Sequence, residues 1–150
     1  MSTPLFTWSS SIAVVRAAAL ATRPMKKIEQ TYQIKAPLDK VWQALVDPDV
    51  IQQWGGGPAK MTAEEGSSFS LWGGDIYGTN IKVLENELLE QDWFGGKWAK
   101  PSKLSLRLKQ KGDTTELKLV QTGVPEADIA DIAQGWKDYY LGPLKDLLQS

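Results

Sequence analysis

The chain has 150 residues, 42% of them hydrophobic and 23% charged, and a net charge of −1. That length suits one domain with a sizeable core, and the charge balance offers no basic footprint for nucleic acid or an anionic membrane. Cysteine and histidine are both absent, which excludes disulfides, thiolate nucleophiles, histidine-dependent triads and the commonest metal ligands.

Seven tryptophans stand out, at positions 8, 42, 54, 72, 93, 98 and 136. Aromatics in such number either fill a large core or line a pocket.

Residues 1–24 differ from the rest. They hold Arg16 and Arg23 and no acid, whereas all 18 acidic residues lie from Glu29 onward. An apolar run from Ile12 to Ala21 is broken by Arg16 and is too short to span a membrane. Three readings compete. An Arg- and Ser-rich, acid-poor segment fits a transit peptide. A secretory signal fits less well, because Arg16 interrupts the apolar region. Translation could also start at Met25, where Met25-Lys26-Lys27 leads directly into the first strand. The third reading is favoured, with 1–24 an extension outside a domain of residues 25–150.

From Lys27 to Lys35 the sequence alternates, with Ile28, Tyr32 and Ile34 on one face: a half-buried strand. Pro37 opens a helix, and Leu38, Val41, Trp42 and Leu45 form its apolar stripe. Asp47-Pro48 opens a second, short helix that ends at Trp54, before Gly55-Gly56-Gly57-Pro58. This glycine run follows a helix and lacks a Gly-Lys-Ser/Thr ending, so it is no phosphate loop.

Strands are then predicted over 59–64, 67–72, 76–85, 88–94, 102–110 and 114–122, with Lys111-Gly112-Asp113 as a hairpin turn and Gly73-Gly74-Asp75 as another turn. Glu90 and Asp92 share a strand face, read as solvated. A last helix runs from about Pro125 to Leu148. Its apolar stripe is Ile129, Ile132, Ala133, Trp136, Tyr140, Leu144 and Leu147. Asp128, Asp131 and Asp138 are placed on or near its polar, solvated side. Pro143 predicts a kink near Gly142. Gly135, mid-helix, implies either room for the neighbouring Trp136 ring or close approach of another group.

This order carries a family resemblance. The matching residues are Ala36-Pro37 with Val41-Trp42, Asp47-Pro48 with Trp54, Gly73-Gly74-Asp75 with Gly78, Trp93 with Trp98, Thr122-Gly123-Val124-Pro125 and, most specific, Gly135-Trp136-Lys137-Asp138-Tyr139-Tyr140. From about Lys26 to Gln149 the chain resembles the START-like (SRPBCC, birch-pollen-allergen-like) superfamily. Within it, the chain is most similar to the C-terminal domain of the heat-shock-protein-90 ATPase activators. The eukaryotic activators also carry an N-terminal docking domain with no counterpart in these residues. They usually have an Arg after the tryptophan that matches Trp93, where this chain has Phe94.

The resemblance implies an α+β helix-grip fold: a seven-stranded antiparallel sheet, in the order β-α-α-β-β-β-β-β-β-α, wrapped around a long C-terminal helix. A sheet gripping one helix leaves a concave apolar gap, so the expected function is a non-catalytic cytoplasmic domain binding a small hydrophobic molecule between sheet and helix. Candidates to line that cavity are Tyr32, Trp42, Trp72, Tyr77, Trp93, Phe94, Trp98, Trp136 and Tyr140. For each of them, packing in the core is the competing reading. The alternatives are a stress-response co-chaperone that stimulates the heat-shock-protein-90 ATPase, and a START-like cyclase or hydrolase. No catalytic residue, metal site, cofactor, nucleic acid or membrane partner is expected.

Overall fold

A computed structural model describes residues 27–150. The expected extension over 1–24, with Trp8, and the start at Met25 lie outside the described residues.

Period-two patterning sets the first strand. β1 (Ile28–Ile34) buries Ile28 and Ile34, half-buries Gln30 and Tyr32, and turns Glu29, Thr31 and Gln33 to solvent. The stripe that follows becomes α1 (Leu38–Val46), which buries Val41, Trp42, Ala44 and Leu45. Pro37 offers no capping side chain, and the Leu38 amide donates instead to Oε1 of Gln110 at 2.9 Å. α2 (Pro48–Trp54) opens as its sequence dictates. Oδ1 of Asp47 accepts from the Asp49 amide at 2.9 Å, Pro48 sits in the first turn, and Gly55 closes the helix at φ +108°.

The remaining strands are β2 (Ser68–Leu71), β3 (Ile76–Leu84), β4 (Leu88–Gly95), β5 (Ser102–Lys111) and β6 (Thr114–Thr122). They form one antiparallel sheet of six strands, ordered β1-β6-β5-β4-β3-β2. The sequence predicts seven strands, and the segment 59–64 is the one that fails. It contributes a single bridge, Lys60 to Ser70. Two residues on, the Thr62 carbonyl accepts from Nδ2 of Asn80 at 3.0 Å, a side-chain bond in place of a ladder bond. The neighbouring strand also stops early, because Trp72 turns to φ +50° and leads into a short 3-10 turn over Trp72–Gly74.

Register aligns one row across the helix-facing side of the sheet: Asn80, Gln91, Leu104, Gln121 and Ile28. The pairing of β3 with β4 slips after Asn80, a bulge that bends the strand. Only glycine fits at position 78, since a methyl group there would run into the Asp92 carbonyl.

The last helix is not continuous. A 3-10 turn (Glu126–Asp128) leads into α3 (Ile129–Gly135). A wide π-turn (Trp136–Tyr140) follows, and then α4 (Leu141–Gln149). The Leu141 amide reaches back to the Trp136 carbonyl, one residue farther than in an α-helix. The break therefore falls just before the Gly142 expected from Pro143. Because the helix restarts at Leu141, Pro143 lies in a first turn, where a missing N–H costs little. The Gln30 amide nitrogen donates to the Ala133 carbonyl at 2.8 Å, which ties α3 to β1. Among the described residues, no helix is long and apolar enough to cross a membrane.

Candidate functional site

The tryptophans scattered along the sequence converge between sheet and last helix. Trp98 and Trp93 stand 5.8 Å apart by ring centroids, Trp93 and Trp136 5.4 Å, and Trp136 and Tyr140 4.5 Å. Tyr140 then meets Trp54 at 4.7 Å and Trp72 at 5.9 Å. Each pair is within the range where aromatic rings attract. Trp93, Trp136 and Tyr140 are fully buried, and Trp72 is half-buried.

Backbone geometry places these rings. The left-handed conformation of Trp72 is costly for a residue with a side chain. It is held by two bonds from the glycine-proline run: the Trp72 amide donates to the Gly56 carbonyl at 2.8 Å, and the Gly73 amide to the Pro58 carbonyl at 3.0 Å. The run that looked like a mere helix stop thus docks a ring.

Of the nine residues nominated from sequence, five join the chain of rings: Trp72, Trp93, Trp98, Trp136 and Tyr140. Trp42 is buried in the general core on α1. Tyr32 is half-buried on β1, and its hydroxyl donates to Oε1 of Gln30 at 2.5 Å. Tyr77 and Phe94 are corrections. They are cross-strand partners stacked 4.9 Å apart with nearly parallel rings, and Tyr77 is 39% exposed. Strand alternation puts them on the side opposite Trp93, the outer face of the sheet. That face also holds the Asp92–Lys103 ion pair and a shallow depression of about 220 Å³ lined by Ile81, Asp92, Lys103 and Val120.

Several residues of the interior were not nominated. Trp54 was read only as a helix end. Asp128 was assigned to the solvated side of the helix, yet it is fully buried, and Oδ2 accepts from the Trp98 indole at 2.9 Å. The sequence signal was its distance from the helix proper: it precedes α3, where the helical stripe does not apply. Gln91, Gln121 and Ser102 are buried on the helix-facing side. Alternation with Leu89 and Trp93 was the available signal for Gln91.

The buried polar groups are mostly tied together. Trp136 Nε1 donates to Oε1 of Gln121 at 2.8 Å, Gln121 Nε2 donates to the Ser102 hydroxyl at 2.9 Å, and that hydroxyl donates to the Trp93 carbonyl at 2.8 Å. Gln91 Nε2 donates to Oδ1 of Asn80 at 2.8 Å. Among the buried oxygens with no hydrogen-bond partner are the Tyr140 hydroxyl and Oε1 of Gln91; others lie on Asp75, Asn86, Glu126 and Asp131.

Electrostatics follow burial. Burial drives the Tyr140 phenol far above its ordinary range. Burial first, then the charge of Asp138, raises Tyr32 to about 12. Burial, then the charge of Asp128, holds the Asp131 carboxyl above its usual range. Among the described residues, no cluster of three or more acidic side chains could hold a metal ion.

Residues 35–149 match the family model described as Activator of Hsp90 ATPase homolog 1-like protein. The chain belongs to that family. The Activator of 90 kDa heat shock protein ATPase homolog of Dictyostelium discoideum is 27% identical, over 79% of this chain and 31% of its own length. The chain spans about a third of the length of the curated relatives it matches. An HSP90 activator from Plasmodium falciparum shares the fold at a TM-score of 0.77 and 20% identity, covering 83% of this chain and 96% of that one. CalU16 from Micromonospora echinospora superimposes at 0.73 with 26% identity, over 87% of this chain and 78% of its own. The START-like architecture expected from the sequence is therefore the architecture of the family, with six strands among the described residues.

Proposed function

We propose that this chain is a non-catalytic START-like binding domain that holds a small, mainly apolar molecule between its sheet and its last helix. One observation carries the reading: the Tyr140 hydroxyl, fully buried and without a partner, beside Trp54, Trp72 and Trp136. A buried hydroxyl left unpaired costs about 1–3 kcal/mol, and phenylalanine would supply the same ring without that cost. A molecule seated against these rings and bearing a polar group would satisfy the hydroxyl while burying its own apolar surface. The non-catalytic part rests on the polar groups buried among the described residues. The fully buried residues there are amides and hydroxyls with one acid, Asp128, which is engaged by Trp98, while Asp131 beside it is only part-buried.

Native mass spectrometry after mild purification tests the reading, together with titration of tryptophan emission by a naphthalene probe. A complex above the apo mass, or saturable quenching, is expected. Apo mass alone combined with no saturable quenching overturns it.

The family supports a second reading, in which the domain acts as a cytoplasmic co-chaperone. Curated relatives are named as activators of the 90 kDa heat shock protein ATPase. On this reading the surface of the domain binds that chaperone and raises its turnover. Titrating the chain into the chaperone's ATPase assay decides it: stimulation supports the reading, and no response at saturation removes it.

A further inference from the structure

We infer that the molecule held between sheet and helix is neutral and carries a hydrogen-bond donor, an O–H or N–H, that Oε1 of Gln91 accepts. The inference rests on the binding reading above and specifies the chemistry of the same site.

A chain of fixed amides sets the direction of Gln91. A backbone carbonyl can only accept, so the Thr62 carbonyl at 3.0 Å fixes Nδ2 of Asn80 toward it, and the same nitrogen donates to Ser67 Oγ at 3.1 Å. Oδ1 of Asn80 is thereby turned to Gln91, and it demands a donor. Gln91 must present Nε2, which lies 2.8 Å away. Its Oε1 is then committed to the other direction, where no partner meets it, on a side chain only 2% exposed. Rotating the amide would set two oxygens against each other, so the open acceptor is imposed by the backbone of another segment.

The contrast with Gln121 sharpens the point. Gln121 stands in the same cross-strand row and has both ends of its amide engaged, by Trp136 and Ser102. One glutamine of the row is bonded at both ends of its amide and the other at its nitrogen alone. Gln91 is two residues from Trp93 on the same, helix-facing side of β4, about 7 Å along the strand.

The ligand's charge follows from what is missing nearby. Among the described residues no lysine or arginine is buried, and a buried anion without a counter-charge is strongly disfavoured. An alcohol, phenol or amide fits, and a fatty-acid carboxylate does not. The Tyr140 hydroxyl, on the helix wall, can accept from or donate to the same molecule.

The test compares 2-naphthol with 2-methylnaphthalene, which has the same shape and no donor, and with 2-naphthoate, which is anionic. For the wild-type protein, the affinity ratio of naphthol to methylnaphthalene should exceed their partition ratio into cyclohexane, a solvent without acceptors, by about fivefold or more. Naphthoate should bind weakest. In Gln91→Met, confirmed folded by circular dichroism, the naphthol ratio should fall by about fivefold to tenfold with methylnaphthalene affinity little changed. A wild-type ratio equal to the partition ratio overturns the inference, as does an unchanged ratio in Gln91→Met. Binding of all probes without preference removes the donor requirement alone. Binding of none removes the ligand reading itself.

Discussion

The indole nitrogen of Trp136 donates to Oε1 of Gln121 at 2.8 Å, joining the last helix to the C-terminal end of β6. From there the bonds run through Ser102 to the Trp93 carbonyl on β4. Helix and sheet are thus held by a directed polar line, alongside the Gln30 bond to the Ala133 carbonyl. Gln121→Leu removes two of these bonds at once. It should lower stability by about 1–3 kcal/mol, read as a lower urea midpoint at unchanged slope.

Tyr140→Phe should act in the opposite direction. Removing a buried hydroxyl without a partner should raise stability by about 1–2 kcal/mol, and the melting temperature by several degrees. The same change should weaken binding of a naphthol probe, a trade of function against stability. A lower melting temperature would mean that the hydroxyl has a partner inside the folded protein.

Gly142 and Gly112 should respond differently to substitution. A methyl group on Gly142 would run into the Lys137 carbonyl, so Gly142→Ala should cost about 2–3 kcal/mol. Gly112 sits in the hairpin turn at φ +65° with open space around it. Gly112→Asn should cost well under 1 kcal/mol, because asparagine tolerates the left-handed region. Thermal melts of both variants check this.

High pH should unfold the domain through its tyrosines. The folded pKa of Tyr32 is raised to about 12, and that of Tyr140 further still, mainly by burial. In the unfolded chain both titrate near 10. The folded state therefore favours the neutral phenols. Their contribution is complete below about pH 10 and is lost as pH rises toward 12. Denaturation midpoints measured from pH 9 to 12 should fall across this window, and Tyr140→Phe should make the fall shallower.

Patterning that repeats with a fixed period could be read directly. Alternation located β1, β4, β5 and β6, and the residues of α1 and α2 carried their own start and stop signals. What failed depended on distant partners. The segment 59–64 has strand composition, but beyond its one bridge it is bonded by a side chain, Asn80, eighteen residues from Thr62. Tyr77 and Phe94 are as apolar as the interior tryptophans, and alternation with Gly78 and Trp93, which face the helix, sends them outward. Trp54 became part of the site because Tyr140, on a helix far along the chain, packs against it. Asp128 looked like a solvated acid until Trp98 supplied its donor.

The wide turn at Trp136–Tyr140 also sets the phase of everything after it. In a regular α-helix, positions four apart drift by about 40° per step, so Leu144 would lie roughly 80° around from Trp136. The added residue in the turn resets this count, and Tyr140, Leu141 and Leu144 are all fully buried. Removing one residue from the segment would give a more regular helix and rotate its last two turns by about 100° relative to the sheet. In this stretch, the number of residues is as constrained as any side chain.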